Sequence, residues 1–321
     1  MINRSLVSIC IPCYNAAASI SETLEALTKQ IYTSIEVIVI DSGSSDDSAS
    51  IISSFIVKNE RIQYYYKENT GAAAARNYAV EKSKGAYIIF LDADDLVDEY
   101  YVFELINSLG KSNKCIAACS YRRFYNNDLN TAFIEPLATW KNLKPIDWLL
   151  IDDGKGLGMM QSGMFLIPRS IFLEAGGWNE KLSLIDDFEF FPRLLLKADM
   201  IIYCSKTYLY YRSGNLNTLS GNSTSKALHS AYRALELTTS TILKSKNTQY
   251  SKNVLAIFWT LWSYHFYPKE KQLLKGSQRY ILKLTGKNLS PPQTGLKKIL
   301  SFFFGWKFTK RLKDIFTLKV S

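Results

Sequence analysis

Tyr87-Ile88-Ile89-Phe90-Leu91-Asp92-Ala93-Asp94-Asp95 decides the fold of this chain, because three carboxylates follow directly on an apolar run. A short apolar run of this kind predicts a buried strand. On an extended backbone, Asp92 and Asp94 point to one side of the strand and Asp95 to the other. Carboxylate oxygens at a strand end suit a hard divalent cation, which a phosphate can share. The alternative is a solvated turn that leads into a helix from about Glu99.

Three earlier segments have the same layout of an apolar strand, a polar turn and a helix. The predicted strands cover residues 7–12, 35–40 and 62–66. Strands that alternate with helices at this spacing indicate right-handed βαβ units and a parallel sheet, so the predicted fold class is α/β. Ligands of such sheets bind beyond the carboxyl ends of the strands. All four polar turns are therefore expected at one edge of the sheet.

The polar turns and a later segment form five sequence blocks. The first four are Pro12-Cys13-Tyr14-Asn15, Asp41-Ser42-Gly43-Ser44-Ser45-Asp46, Asn69-Thr70-Gly71-Ala72-Ala73-Ala74-Ala75-Arg76-Asn77 and Asp92-Ala93-Asp94. The fifth is Gly176-Gly177-Trp178-Asn179-Glu180, followed by Asp186-Asp187-Phe188-Glu189-Phe190. In this order the blocks resemble those of the inverting glycosyltransferases of family 2, among them bacterial enzymes of cell-surface polysaccharide synthesis. The resemblance covers about residues 5–215. It implies the GT-A fold, a Rossmann-like, mostly parallel sheet flanked by helices.

The resemblance implies a nucleotide-sugar donor, with a UDP-sugar expected. The donor-binding residues that it implies are Pro12, Tyr14, Asn15, Asp41, Ser44, Gly71, Arg76, Asp92 and Ala93. The residue types agree with this role, since Tyr14 offers a flat face to a base and Asp41 can accept hydrogen bonds from a base or a ribose. Gly71 begins a helix whose N–H groups and dipole suit a diphosphate, with Arg76 little more than a turn further on. Alternatively, Tyr14 and Asp41 serve strand-end packing and helix capping, and Arg76 pairs with Asp92 or Asp41.

The resemblance also implies a metal ligand and a catalytic base. Asp94 is expected to ligate Mn²⁺ or Mg²⁺ that bridges the diphosphate and offsets the charge on the leaving group. Asp187 is expected to take the proton from the acceptor hydroxyl as that hydroxyl attacks. Alternatively, Asp186 and Asp187 only begin a helix over residues 188–198.

Three features depart from the family pattern. Ser42 stands where relatives often carry a second Asp near the base, and Asp186 stands where they carry Glu. Tyr210-Tyr211-Arg212 is similar to the family's Tyr-Arg element, but no His follows it closely. A metal site here would therefore use another group or water in place of that His.

Composition agrees with a folded enzyme in a reducing cytoplasm. The chain has 321 residues, of which 47% are hydrophobic, enough for a large core with a helical annex and too many for a disordered chain. Residues 1–15 are predicted as strand and turn, so no signal peptide is expected, and no apolar run reaches the ~18 residues of a membrane span. The longest, residues 254–267, predicts a buried or interfacial helix. Cys10 and Cys13 have the spacing of a redox motif but lie on a strand, so all five cysteines are expected to be reduced fillers.

The positive charge is concentrated near the C-terminus. Residues 250–321 contain fourteen Lys and Arg against Glu270 and Asp314, while the whole chain has a net charge of +10. The resemblance ends near residue 215 and implies a catalytic domain at residues 1–215, which leaves a basic, helical region at residues 216–321. Aromatic and basic residues alternate at helical spacing in residues 294–321, which suits an anionic membrane surface. The alternative is that this segment docks on the protein, after a hinge at residues 290–292.

The predicted function is transfer of a hexose or N-acetylhexosamine to a glycan or lipid-linked glycan, at the cytoplasmic face of the cell membrane. Loop residues 126–163, with Trp140 and Trp148, are expected to help form the acceptor pocket. One alternative is a sugar-1-phosphate nucleotidyltransferase, although the first block lacks the basic, Gly-rich phosphate loop of that class. Another is a non-catalytic module that binds RNA or membrane, although no nucleic-acid partner is expected.

Overall fold

The computed structural model describes residues 5–68, 71–110, 112–134, 136–151, 156–214, 224–292, 301 and 305–311. Within these ranges it has nine strands: β1 Val7–Cys13, β2 Ile35–Asp41, β3 Ile62–Tyr66, β4 Tyr87–Phe90, β5 Leu96–Val97, β6 Cys115–Tyr125, β7 Asp128–Phe133, β8 Phe165–Pro168 and β9 Met200–Ser213. Its helices are α1 Ile20–Thr28, α2 Ser48–Ile56, α3 Gly71–Lys82, α4 Tyr101–Leu109, α5 Pro145–Leu149, α6 Arg169–Ala175, α7 Asp186–Leu195, α8 Ser225–Ser245, α9 Gln249–Phe266 and α10 Lys271–Thr285.

The predicted parallel sheet forms the N-terminal half of the fold. The strand order is β3-β2-β1-β4-β8-β6-β9-β5, with β7 paired to β6. Strands β3, β2, β1 and β4 are parallel, and Cys13 at the end of β1 is in register with Asp41 at the end of β2. The polar turns that follow these strands therefore lie at one edge, as predicted.

The second half of the sheet is mixed. β8 is antiparallel to both β4 and β6, whereas β9 is parallel to β6 and antiparallel to the two-residue strand β5. These strands are far apart in sequence and lack the regular strand-helix spacing of the first half. The β5–β9 pair places Leu96 opposite Tyr210, so the end of β9 lies beside the acidic turn after β4.

Burial explains why the first strands read as continuous apolar runs. Every residue of β2 and β4 is buried, because helices cover both faces of the sheet. Helix α3 lies against β1 and β2 with a face of small residues, of which Ala75 and Ala79 are fully buried. Small side chains let a helix approach a sheet closely, so the Ala run in the third block is a packing feature.

The C-terminal helices form an annex with its own aromatic core. Trp259 of α9 stacks on Tyr280 of α10 with ring centroids 4.4 Å apart, and its Nε1 donates to Thr239 of α8 at 2.9 Å. Trp306 is buried against the Tyr267 ring at 5.4 Å, and Lys310 donates to the carbonyls of Tyr264 and Tyr267. This part of the tail thus docks on the annex.

Several expectations for the C-terminal part fall on residues outside the described ranges. These are the domain boundary at residue 215 and most of segment 294–321, for which a membrane-surface role stays a prediction. No helix in the part of the chain that the structure describes is long and apolar enough to cross a membrane.

Burial also decides the roles of the cysteines and of Trp148. Cys10 and Cys13 are free and buried, and burial raises the pKa of the Cys13 thiol to about 11, so it stays protonated at neutral pH. A redox role finds no support. Trp148 is 2% exposed and packs edge-on against Phe165, so it is a core residue. Trp140 stacks on Tyr203 with ring centroids 6.2 Å apart.

Candidate active site

The first two blocks are joined by hydrogen bonds between their turns. Asn15, at the end of the turn after β1, has a φ of +49°, a conformation that Asn tolerates better than most residues. Its backbone N–H donates to Ser44 Oγ at 2.9 Å, and its side-chain Oδ1 accepts from the Ser45 N–H at 2.8 Å. Pro12 lies just before this turn, in register with Ile40. The two turns therefore form one preorganised surface.

The Asp41 carboxylate holds the backbone of the second turn in place. Its carboxylate accepts hydrogen bonds from the backbone N–H groups of Gly43 and Ser44 at 3.1 and 2.8 Å, and from the Tyr64 hydroxyl at 2.9 Å. The side chain is only 1% exposed, so Asp41 packs at the strand end as the alternative states, but it caps its own turn and not a helix. Tyr14, by contrast, is 64% exposed and keeps a free ring face at the rim.

Residues Asp92 to Asp95, directly after β4, form a turn, which we call the acidic turn. The expectation that their backbone is extended is wrong. The Asp95 N–H donates to the Asp92 carbonyl at 3.2 Å, which closes a turn with Ala93 and Asp94 at its tip. The Ala93 carbonyl accepts from Ser19 Oγ at 3.0 Å and from Thr23 Oγ1 at 3.1 Å. The alternation of side chains along a strand therefore does not apply to these carboxylates. Ser19 and Thr23, at the N-terminal end of helix α1, hold the tip of the turn.

Arg212 fixes the same turn from β9 and was not predicted to do so. Its Nε donates to the Asp94 carbonyl at 2.7 Å, and its backbone N–H donates to the buried carboxylate of Asp95 at 3.1 Å. Its guanidinium also pairs with Glu22 at 2.6 Å and lies over the Phe124 ring. The buried Asp95 carboxylate thus supports the turn. The Tyr-Arg element was the available signal, but the spacing did not reveal its partner.

Arg76 connects the acidic turn to the fifth block. Its guanidinium is buried and pairs with Asp92 at 2.8 Å and with Asp186 at 3.4 Å, and it stacks on the Trp178 ring at 4.5 Å. Burial alone would lower the pKa of Arg76, but Asp92 and Asp186 outweigh it and raise this pKa. The predicted pairing with Asp92 is found, while Asp41 has other partners. Gly71 begins α3 as predicted, whereas Asn69 and Thr70 lie outside the described residues.

Asn77, one residue after Arg76, anchors the Gly-Gly-Trp segment. Its side-chain amide accepts from the Trp178 N–H at 2.8 Å and donates to the Trp178 carbonyl at 2.9 Å. A Cβ at Gly177, whose φ is +72°, would lie 2.9 Å from the Asn77 oxygen. Only glycine fits this close approach. The third and fifth blocks are therefore locked together through adjacent residues of α3.

Asp186 and Asp187 begin helix α7, directly after a strained residue. Ile185 has a φ of +53°, which a β-branched residue adopts only at a cost. Helix α8 holds the segment on both sides of this residue: Ser230 Oγ accepts from the Ser183 N–H at 2.7 Å, and Thr238 Oγ1 donates to the Phe188 carbonyl at 2.6 Å. The annex thus positions the two carboxylates.

The site concentrates negative charge. Burial, and then the neighbouring charge of Asp186, raise the pKa of Asp187 to about 7. Burial, and then Asp92, raise the pKa of Asp94 to about 6. A carboxyl whose pKa lies near neutral pH is suited to accept a proton during catalysis.

The carboxylates of the acidic turn fit a bound Mn²⁺ or Mg²⁺ in part. Asp92 and Asp94 supply hard oxygens, and burial together with the charge of Asp92 raises the pKa of Asp94. No group of three or more His, Cys, Asp or Glu side chains in the described ranges is placed to hold a metal by itself. A cation that takes one or two carboxylates, and phosphate and water for the rest, fits these residues.

Comparison with known proteins identifies the family. The model of glycosyl transferase family 2 matches residues 8–175, which is more than half of the chain and contains the first four blocks. The chain belongs to this family. It is therefore a glycosyltransferase, and the resemblance read from the blocks is confirmed. Asp186, Asp187 and Arg212 of this glycosyltransferase lie beyond the matched residues.

Similar proteins come from several bacteria. Glycosyltransferase GlyG of Streptococcus pneumoniae is 28% identical over 228 residues, which cover 66% of this chain and 72% of GlyG. The uncharacterized glycosyltransferase RT0329 of Rickettsia typhi is 32% identical over 59% of this chain and 58% of that protein. The chain thus spans less than two thirds of the Rickettsia relative.

Solved structures confirm the fold. The crystal structure of S. aureus TarS 1-349 in complex with UDP-GlcNAc superposes with a TM-score of 0.71 at 17% identity, covering 87% of this chain and 81% of that one. TarS 1-349 in complex with UDP superposes with a TM-score of 0.62. The predicted GT-A architecture is confirmed by this similarity and by the sheet order.

Proposed function

We propose that this glycosyltransferase moves one hexose or N-acetylhexosamine from a UDP-sugar to an acceptor hydroxyl, with inversion at the anomeric carbon. The observation that carries the proposal is the Arg76 bridge. One buried guanidinium pairs with Asp92 of the acidic turn and with Asp186 next to Asp187. A group that binds the leaving diphosphate and a group that activates the acceptor must lie this close for direct displacement.

Asp187 is the proposed base. In its deprotonated form it takes the proton of the acceptor hydroxyl while the oxygen forms a bond to the anomeric carbon. The bond from that carbon to the diphosphate oxygen breaks on the opposite face, and UDP leaves. The pKa of about 7 supports this role, since a useful fraction of Asp187 is deprotonated at neutral pH and still basic.

The joined turns of the first two blocks are the proposed nucleoside site. Tyr14 stacks on the base, while Pro12, Asn15 and Ser44 line the surface whose backbone Asp41 holds in place. Exposure of the Tyr14 ring supports this arrangement. The complexes of the structurally similar TarS with UDP-GlcNAc and UDP support uracil as the base.

The diphosphate is proposed to lie between the start of α3 and the acidic turn. The first turn of α3, which begins at Gly71, offers backbone N–H groups there, and Arg76 supplies a positive charge. Ala93 and Asp92 face the ribose side, and Asp94 with Asp92 would hold Mn²⁺ or Mg²⁺. When bound, such a cation supplies Lewis-acid stabilisation to the departing diphosphate.

The proposed acceptor is a lipid-linked glycan of cell-surface polysaccharide synthesis, met at the inner face of the cell membrane. The basic annex supports this location, because α10 carries Lys271, Lys275 and Arg279 on exposed positions. Positive side chains near an anionic leaflet each contribute about 1 kcal/mol to binding.

Measurement of nucleotide release tests the proposal. Purified protein is incubated with UDP-glucose, UDP-galactose or UDP-N-acetylglucosamine, with Mn²⁺, and with or without a lipid-linked oligosaccharide fraction. We expect one UDP-sugar to raise the melting temperature and to yield UDP only when acceptor is present. Release of pyrophosphate from a nucleoside triphosphate and a sugar 1-phosphate would instead indicate a nucleotidyltransferase. Binding of vesicles or RNA without any nucleotide turnover would indicate a non-catalytic module.

A further inference from the structure

A cavity of about 310 Å³ lies between the catalytic domain and the annex. Its wall combines Tyr121 of β6, Phe188 of α7, and Phe258 and Trp262 of α9. Residues 157–159, from the predicted acceptor loop, close another side. This volume is at the small end of the range for ligand sites and suits a ligand about the size of one sugar ring.

The cavity is next to the proposed base. Phe188, which lines it, follows Asp187 directly, and its N–H donates to the Asp187 carboxylate at 2.9 Å. Tyr211 packs against two of the lining residues, with its ring centroid 6.5 Å from that of Tyr121 and 5.3 Å from the Arg123 guanidinium. A ligand in this cavity would therefore sit beside the residue that follows the proposed base.

The charge of the cavity wall is positive. Arg123 lines it, and its guanidinium contacts the rings of Tyr121 and Tyr211 at 5.9 and 5.3 Å. No hydrogen bond or ion pair joins this guanidinium to another described residue, although Arg76, Arg193 and Arg212 each have carboxylate partners. The described residues of the wall include His265 but no Asp or Glu. A half-buried guanidinium without a carboxylate partner favours an anion supplied by a ligand.

We propose that this cavity binds the acceptor's sugar ring and that Arg123 recognises an oxyanion, a carboxylate or a phosphate, attached to that ring. The ring packs its C–H face on Trp262 and Phe188, since the negative face of an aromatic ring attracts C–H groups. The annex thereby selects a negatively charged acceptor. This inference rests on the proposed transfer reaction and names the acceptor class for it.

Saturation-transfer NMR with three simple sugars tests the inference. The probes are methyl glucoside, methyl glucuronide and glucose 6-phosphate, each titrated into the full chain with saturating UDP and Mn²⁺. We expect at least one anionic sugar to bind about tenfold more tightly than methyl glucoside, the gain that one charge-assisted hydrogen bond provides. A preference for glucuronide alone identifies a carboxylate source, and a preference for the phosphate alone identifies a phosphate source.

Variants assign the preference to the cavity. Arg123→Gln should bring the anionic and neutral sugars to equal affinity, and Arg123→Lys should keep part of the preference. Trp262→Ala should weaken binding of all three sugars. Lys58→Gln removes one positive charge from an exposed position just after α2 and is the control, expected to bind like the wild type.

Two results would overturn the inference. The first is equal affinity for neutral and anionic sugars, or no binding of any of the three. The second is a preference that survives in a folded Arg123→Gln protein. The melting-temperature shift produced by UDP is measured on the same samples, so that failure of the donor site is separated from failure of this cavity.

Discussion

The donor side and the acceptor side of the site are built in different ways. On the donor side, the turns after β1, β2 and β4 come together because parallel strands end at one edge of the sheet. On the acceptor side, Asp187 depends on α8 through Ser230 and Thr238, more than 40 residues further along the chain. The family match covers the three donor turns and ends before Asp186.

This difference indicates how such an enzyme can change acceptor while keeping its donor. The hydrogen bonds described above that join and hold the donor turns come from residues before position 215. The position of Asp187 and the wall of the cavity both depend on the annex. Arg76 is the one described side chain that pairs with carboxylates from both sides.

The largest expected effect is on the donor side. Asp94→Asn removes the carboxylate proposed to hold the cation, so transfer should become undetectable while the fold is kept. UDP release and circular dichroism measure the two properties. Asp128→Asn, on the exposed β6–β7 hairpin, makes the same chemical change away from the site and should transfer normally. Full turnover by Asp94→Asn, or by the wild type with excess chelator, would contradict metal dependence.

The next largest effect, that of Asp187→Asn, separates the donor side of the site from the acceptor side. Asp187→Asn removes the base but leaves the donor turns intact, so kcat should fall by ~10²-fold or more with donor affinity almost unchanged. Initial rates and UDP binding by calorimetry measure this split. An equal loss of donor affinity would place Asp187 on the donor side and contradict the division of the site into two sides.

A pH profile sharpens the same separation. Asp187 accepts a proton only when deprotonated, and its pKa is raised to about 7. The rate should therefore fall about tenfold per pH unit below this value and level off above it. UDP binding, measured over the same range, is the control for the donor turns. A flat rate profile from pH 5 to 8 would argue against Asp187 as the base.

Sequence reasoning predicted the donor side well, and physical causes explain why. Apolar runs locate parallel strands, and the residues after them must meet at one edge; the turns after β1 and β2 are indeed joined, and Arg76 pairs with Asp92. The turn conformation of the acidic turn was not expected, because it depends on one hydrogen bond between backbone groups. Backbone groups are the same in almost every residue, so the sequence does not reveal this bond.

The acceptor side was harder to predict because its contacts are between distant segments. Thr238 reaches the Phe188 carbonyl across 50 positions, a separation that no local periodicity reports. Apolar helical patterns also could not tell which aromatic residue faces a cavity: Trp148 of the predicted loop is in the core, while Trp262 of the annex lines the cavity.

The smallest expected effect tests whether the annex positions the base. Ser230→Ala removes the oxygen that accepts from the Ser183 N–H, just before the strained Ile185. Loss of one such hydrogen bond costs about 1 kcal/mol, and part of it is recovered from water because Ser183 is exposed. If the loop relaxes and Asp187 shifts, kcat should fall about three- to fivefold with donor affinity unchanged. Ser240→Ala, on an exposed position of α8, is the matched control. Equal kcat in both variants would mean that the left-handed turn at Ile185 is held by packing alone, and that the annex influences the acceptor only through the cavity wall.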